Sequence, residues 1–310
     1  MANGPDTASA RNNPCPPRPA NAARRAEEPW GAAFVLYRPD RDAVERNLAV
    51  VRELGGTVLL VDNTPEPAVE PAWAAARGAE LLFNGNRDGI AGALEEGCRW
   101  ALSGGLRWLL TMDQDSDVRE EWLVPLLRAR ALLPEDAAIL SAEHAVDEAA
   151  FDAPRAGGTR LRRLRVVMTS GNLLRVEAWR NSPGFDRSLF IDQVDHDFCL
   201  KLGRAGFTIW RLDGAKMRHP LGETRKVRFL GRDLSVHSHP PFRWRTIARN
   251  VPRVAFRHFL FAPGFAVREL RTLFEMFSLM LLFEDERLAK AAEAARGFRD
   301  LLLGRSGEPR

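Results

Sequence analysis

From Ala33 onward, short apolar runs rich in β-branched residues alternate with segments whose apolar positions recur every three or four residues. Runs of the first kind fit strands and the second kind fit amphipathic helices, so the order is that of βαβ units around a mostly parallel sheet. The first predicted strand covers Ala33 to Tyr37. After Pro39 and Asp40, the residues Val44, Leu48, Val51 and Leu54 mark a helix that Gly55 and Gly56 close. Further strands are predicted at Val58 to Val61, Leu81 to Phe83, Trp108 to Met112 and Ala138 to Leu140, with helices over about Ile90 to Leu102 and Trp122 to Leu132. This half ends near residue 142. Beyond it the pattern predicts a loop over Asp152 to Arg163, a strand at Arg165 to Thr169, a turn at Ser170, Gly171 and Asn172, and helices at Val176 to Arg180 and Val194 to Arg204. A strand at Thr208 to Leu212 follows, and the C-terminal region is helical, with Leu270, Leu273, Phe274, Phe277 and Leu281 at amphipathic spacing.

The fold class is therefore α/β: a Rossmann-like, mostly parallel sheet flanked by helices, with a helical C-terminal extension. Residues 30–250 are expected to form one domain and 251–310 the extension. Residues 1–29 carry six prolines and no apolar run long enough for a signal-peptide core, so they are expected to be a disordered leader. At 310 residues, 45% hydrophobic and 28% charged, the chain has ample material for a core, which excludes global disorder. Cys15, Cys98 and Cys199 are odd in number and show no metal-type spacing; they imply no disulfide framework and fit a reducing, cytoplasmic compartment. The most apolar late stretch, Leu273 to Phe283, is too short to span a bilayer and is interrupted by Glu275. The net charge of +4 conceals an asymmetry, because Arg218 to Arg257 holds ten Lys or Arg against Glu223 and Asp233. Such a segment suits anionic lipid, glycan phosphates or nucleic acid, but no nucleic-acid-binding motif accompanies it, so no nucleic-acid partner is expected.

In open α/β sheets, ligands bind at the carboxyl ends of the strands. Here those ends are acidic and polar: Asp62 and Asn63, then Asn84 and Asn86, then Asp113, Gln114, Asp115, Ser116 and Asp117. Asp113 and Asp115 can share a divalent cation of the hard kind, Mg²⁺ or Mn²⁺, bridging substrate phosphates; the alternative is a solvated acidic turn. An EF-hand loop is excluded, because Val118 and Val124 stand where Gly and Glu are required. Neither a P-loop nor a GxGxxG turn is present. A second acidic cluster reads Leu189-Phe190-Ile191-Asp192-Gln193-Val194-Asp195-His196-Asp197 and leads into an apolar helix. A carboxylate there facing the crevice can take the proton of an attacking hydroxyl. Asp195 is the first candidate and Asp192 the second, with helix capping open for Asp192 and a surface charge open for Asp197. His237 and His239 have no nearby carboxylate or thiolate partner in sequence and are not expected to bind metal.

The order VDN, NxxGIAxA, DQDS, SGN, LFIDxVDxxxCL, HxLG and RN, running from about Ala33 to Gly304, resembles the family 2 inverting glycosyltransferases of the GT-A fold, and most closely their rhamnosyltransferase-like branch. The resemblance implies that Tyr37 and Asp62 contact a pyrimidine base and that Asn86, Gly89 and Ile90 line the nucleotide pocket, with Asn63 beside them. It further implies that Asp113 and Asp115 serve ribose and metal, that Asp195 is the base, and that His219 lies near the diphosphate as a further metal ligand. The chain departs from the family pattern at Glu95, where Asn is usual, at Trp244-Arg245, where a Tyr pair is usual, and at the variable position Arg38. The implied activity is transfer of a sugar from a nucleotide donor, foremost dTDP-rhamnose, to a glycan or lipid-linked acceptor in cell-wall polysaccharide synthesis. A UDP-hexose or galactofuranose donor, or an inactive homologue that only binds glycan or nucleotide, are the alternatives. With a lipid-linked acceptor, the basic segment and the C-terminal helices are expected to make peripheral contact with the inner face of the plasma membrane.

Overall fold

The computed structural model describes residues 28–145, 160–218, 224–229 and 232–308. The leader expected over residues 1–29 thus lies almost wholly outside the described residues, as does His219. An eight-stranded sheet runs in the order Glu80–Phe83, Thr57–Asp62, Trp30–Leu36, Trp108–Asp113, Asn172–Arg175, Ala137–Ala145, Thr208–Arg218, Arg160–Leu164. Its parallel half is β1 (Trp30–Leu36), β2 (Thr57–Asp62), β3 (Glu80–Phe83) and β4 (Trp108–Asp113). Helices α1 (Arg41–Glu53), α2 (Pro71–Ala76) and α3 (Gly89–Ser103) connect these strands.

Both faces of β1, β2 and β4 are covered, so these strands are largely apolar throughout while adjacent residues serve opposite layers. Ala32, Phe34 and Leu36 of β1 join Val44 and Leu48 of α1 and Trp122 and Leu126 of α4 (Glu120–Ala129). Ala33 and Val35 point the other way, to Leu94 and Cys98 of α3 and Phe198 and Leu202 of α6 (Val194–Arg204). Asp40 starts α1 by accepting the backbone N–H groups of Asp42 and Ala43 at 3.1 and 3.4 Å.

The second half of the chain adds to the same sheet. β7 (Asn172–Arg175) inserts antiparallel between β4 and β5 (Ala137–Ala145), β8 (Thr208–Arg218) lies parallel to β5, and β6 (Arg160–Leu164) forms the antiparallel edge. Two expectations fail here. The strand expected at Arg165 to Thr169 is irregular backbone, and the strand lies at Arg160–Leu164, all but its last residue in the expected loop. Its arginines suit an edge, where long charged side chains stay in water, and Arg162 pairs with Asp213 of β8 at 2.9 Å. β7 and the two-stranded hairpin of β9 (Thr224–Phe229) and β10 (Arg232–His237) also lack any clear alternation and are not foreseen. The helix expected to reach Leu132 ends at Ala129 and tightens to a 3₁₀ turn over Arg130–Leu132.

The short α5 (Val176–Arg180) precedes α6, and three helices close the chain: α7 (Pro241–Arg257), α8 (Pro263–Phe283) and α9 (Arg287–Leu302). The boundary expected at residue 250 falls inside α7. Trp244 and Ala248 of α7, Met280 of α8 and Ala294 of α9 form a separate core cluster, and Arg245 pairs with Asp300 at 2.7 Å. The apolar positions of α8 divide: Leu273 and Met280 are buried, while Phe274 and Leu281 are exposed. No described helix is long and apolar enough to cross a membrane.

Gly297 sets the closeness of α9 to α7, since a Cβ there would lie 2.2 Å from the Arg245 carbonyl oxygen. Gly to Ala in an open helix stabilises by up to ~1 kcal/mol. At Gly297 the sign should reverse, because backbone cannot yield as a side chain can: Gly297→Ala is expected to destabilise by ~1–3 kcal/mol in chemical denaturation. A rise in stability would show that the two helices separate freely.

Candidate active site

Because β1 to β4 are parallel, their carboxyl ends share one edge. Leu36 is level with Asp62, Val35 with Asp113 and Asp62 with Phe83. The polar residues that follow bind one another. The Asn63 side chain accepts from Asn84 Nδ2 at 2.6 Å and donates to Asn86 Oδ1 at 3.2 Å. Asp62 is buried; its Oδ1 accepts the N–H of Thr64, and its Oδ2 accepts those of Ala68 and Val69. Asp62 therefore shapes the 64–69 loop that borders the crevice. Tyr37 is exposed at the rim, where the Gln114 carboxamide grips its backbone, accepting from Tyr37 N at 2.6 Å and donating to Tyr37 O at 2.8 Å. Gln114 thus carries the β1–β4 pairing one step beyond the strands.

The acidic loop after β4 is fixed from the other side by the Ser170 turn. Asp113 N donates to Ser170 Oγ at 3.1 Å, and Ser116 Oγ lies 2.7 Å from the same hydroxyl. Asp115 is exposed and Asp113 half-buried. Asp195, in the first turn of α6, lines a small cavity with Thr111 of β4, Thr169 and Asn172. Burial pushes the Asp113 carboxyl up, and the charges of Asp115 and Asp195 add to this, bringing it to about 7. The first and second acidic clusters, some 80 positions apart in sequence, therefore meet. No Arg or Lys of the described residues forms an ion pair with any of the three carboxylates. Asp113, the last residue of β4, and Asp115, on the loop after it, offer hard oxygen donors of the kind that suits a divalent cation. Among the described residues, no three His, Cys, Asp or Glu side chains converge closely enough to hold a metal by themselves. An ion here would need oxygens from a substrate, as Mg²⁺ commonly does.

The segment carrying Asp195 is built under backbone strain. Phe190, Asp192 and Gln193 all have positive φ, at 66°, 62° and 66°. Ile191 N donates back to Leu189 O at 2.8 Å, closing a γ-turn about Phe190. Asn250 of α7, fully buried, holds this turn: its Nδ2 donates to Leu189 O at 2.8 Å and Ile191 O at 2.7 Å, with Asp192 O at 3.2 Å. Arg249 Nε donates to Asn250 Oδ1 at 2.9 Å and so orients the carboxamide. The other side of the turn docks on α3. Ile90 N donates to Phe190 O at 2.9 Å, and Gly89, at φ +61°, leaves room where a Cβ would come within 2.3 Å of that oxygen. Gly89 and Ile90, expected in the nucleotide pocket, thus also lock the acidic turn to the parallel half.

Asp192 and Asp195 part company. Asp192 does not cap α6, whose N-cap is Gln193. One of its oxygens takes Arg243 and the other the Thr246 hydroxyl at 2.6 Å, both on α7. Among the described residues, Asp195 Oδ1 accepts only the N–H of His196, at 2.8 Å. Burial pushes the His196 ring down, but the Asp195 charge and Glu269 of α8 outweigh it and raise the ring, which favours a positive charge beside Asp195. Asp197 is not a surface charge but fully buried, against Lys201 at 2.7 Å, Arg257 at 2.8 Å and His258 at 2.9 Å. Glu95 turns away from the crevice and accepts from Trp179 Nε1 at 3.1 Å and from Phe185 N. It braces α3 against Trp179 of α5 and the 181–185 loop. The roles of Asn250, Arg249 and Ser170 are not read from the sequence, although polar residues inside the apolar stripe of α7 are their visible signal.

A comparison with known protein families returns no match. The chain is 25% identical over 221 residues to a dTDP-rhamnosyl transferase, RfbF, of Shigella flexneri, covering 67% of this chain and 74% of that protein. Its fold is similar to that of GalNAc-T7, solved with UDP, GalNAc and Mn²⁺, at a TM-score of 0.50 and 13% identity over 72% of this chain; the match spans 48% of that protein, about half its length. Sheet order and the structural likeness show a GT-A type fold, and the sequence similarity is to a glycosyltransferase. Among glycosyltransferases, the similarity is to a rhamnosyltransferase.

The Asp197 cluster yields a test in pH. Burial pushes its carboxyl up, but the His258 hydrogen bond and the Lys201 and Arg257 charges outweigh it and hold it at about 2. A folded value below the unfolded ~3.9 stabilises the fold above pH ~4, and this is lost as pH falls towards ~2. Asp197→Asn should cost roughly 3–5 kcal/mol at neutral pH, since it strands buried cations, and should flatten the fall in stability between pH ~4 and ~2. An unchanged acid limb in urea titrations would remove Asp197 from this role.

Proposed function

We propose that the chain transfers a sugar with inversion from a nucleotide diphosphate donor, rhamnose from dTDP-rhamnose, to a hydroxyl of a cell-surface or lipid-linked glycan. The observation that supports this reading is convergence: Asp195 of α6 lines a small cavity with Thr111, two residues before Asp113, and lies close enough for its charge to raise the Asp113 carboxyl. The donor sugar rests on likeness to the Shigella enzyme.

In this reading the nucleoside lies along the strand ends, with Tyr37 at the rim, the Asp62-shaped loop and Asn63, Asn86, Gly89 and Ile90 beneath. Asp113 and Asp115 would hold Mg²⁺ or Mn²⁺, with His219 as the proposed further ligand. When bound, that ion supplies positive charge to the departing diphosphate. Asp195 takes the proton of the acceptor hydroxyl; the oxygen bonds to the anomeric carbon from the face opposite the diphosphate, and the bond to the diphosphate breaks. Asp195 fits the role better than Asp192, because both oxygens of Asp192 are engaged by α7. Asp192 is assigned to positioning.

A panel of nucleotide sugars, assayed for nucleotide diphosphate release with Mg²⁺ or Mn²⁺, should select dTDP-rhamnose. Asp195→Asn should lower turnover at least ~10²-fold with donor binding retained. Asp115→Ala should lose most activity together with its cation dependence. Full wild-type activity in a chelator would end the metal assignment. Near-normal turnover of Asp195→Asn, with Asp192→Asn inactive and donor affinity intact, would move the base to Asp192.

A further inference from the structure

The end of α7 and the turn after it expose an apolar surface that the catalytic reading leaves unused. Phe256 is 65% exposed and Leu260 97%, with Phe259 and Phe261 also exposed. Exposed apolar groups of this size, contiguous in one turn, mark a contact surface. The turn is nevertheless firmly held. Phe261 N and Ala262 N both donate to His258 O, and His258 itself is buried against Asp197. Arg257, from the same turn, reaches both Asp197 and Asp186. A rigid turn that keeps its anchors inside and its Phe and Leu side chains outside is built for an apolar partner.

Charge identifies that partner. Of the seven arginines from 242 to 271, Arg243, Arg245 and Arg257 are held by carboxylates of other elements and Arg249 is buried, so the positive charge free to face outward lies on α8. Arg268 and Arg271, in the first turns of α8, are 60% and 76% exposed, beside the exposed Val267. A second copy meeting this face about a two-fold axis would set the same arginines against one another. An anionic bilayer surface instead satisfies both features, with apolar side chains below the headgroups and arginines among them. We propose that the Phe256–Phe261 turn inserts into an anionic membrane interface, with the neighbouring arginines binding its headgroups. Asp197 lies two residues after Asp195 on α6, so the ion pairs that hold the turn also fix the crevice relative to the membrane. That last step rests on the proposed transfer to a lipid-linked acceptor; membrane binding does not.

Sedimentation of the full chain with vesicles is the test, and it needs no substrate, so its failure is distinct from failure of the catalytic reading. The protein should bind vesicles of phosphatidylcholine containing phosphatidylglycerol at low salt, bind much less to phosphatidylcholine alone, and be released as salt rises. Phe259→Ser with Leu260→Glu should reduce binding at least ~10-fold while leaving the circular dichroism and thermal unfolding unchanged. Absence of wild-type binding, or equal binding by the double variant, would overturn the proposal. So would a wild-type dimer in analytical ultracentrifugation that the double variant turns into a monomer, with no vesicle binding, since a second copy would then be the occupant.

Discussion

A single carboxamide, that of Asn250, keeps the acidic turn in a conformation it would not adopt alone. Three consecutive or near-consecutive non-glycine residues at positive φ cost ~1–3 kcal/mol each, and a γ-turn of this hand adds to that. Without offsetting bonds the segment would relax and α6 would begin at another angle. Asn250 reaches the Leu189 and Ile191 carbonyls from a fully buried position, while Arg249 fixes which end of the amide faces them. From the opposite side Ile90 N holds Phe190 O. The turn is therefore clamped between α7, late in the chain, and α3, early in it, and Asp195 inherits its place from both.

This arrangement explains why the C-terminal helices belong to the site's mechanics. α7 supplies Asn250, Arg249, Arg243 and Thr246 to the acidic turn and Arg257 to α6, then ends in the exposed apolar turn. Its inner face is polar where it meets carbonyls and carboxylates and apolar where it meets α8 and α9. Opposite the clamp, the Ser170 turn holds the β4 loop, so neither acidic segment depends on the other's charge for its position. The two clusters can stand close, with Asp113 raised to about 7, because backbone hydrogen bonds hold them against their repulsion.

Much of this was legible in the chain itself. The apolar runs of β1, β2 and β4 announce strands buried on both faces, and the span of α6 follows directly from its pattern. The acidic loop after β4 could be assigned to the crevice because parallel topology leaves strand ends little choice. Strands stabilised chiefly by their neighbours were not legible: β7 is four residues wedged between β4 and β5, and β6 is an arginine-rich edge. Nor were roles set by distant partners. Asp197 reads as one more charge beside Asp195 until His258 and Arg257, some 60 residues later, are seen to enclose it. The sequence ranks Asp195 ahead of Asp192 but cannot show why Asp192 is engaged elsewhere, which Arg243 and Thr246 reveal.

The claim that the clamp, and not the carboxylates alone, makes the site is tested most directly by steady-state turnover and nucleotide diphosphate affinity of Asn250→Ala, with Asn250→Gln alongside and thermal unfolding as the check on folding. The account predicts a turnover loss of at least ~10-fold in the folded variant with nucleotide affinity within a few-fold of wild type, because Asp195 is displaced while the strand-end pocket stays intact. Wild-type turnover in folded Asn250→Ala would contradict it.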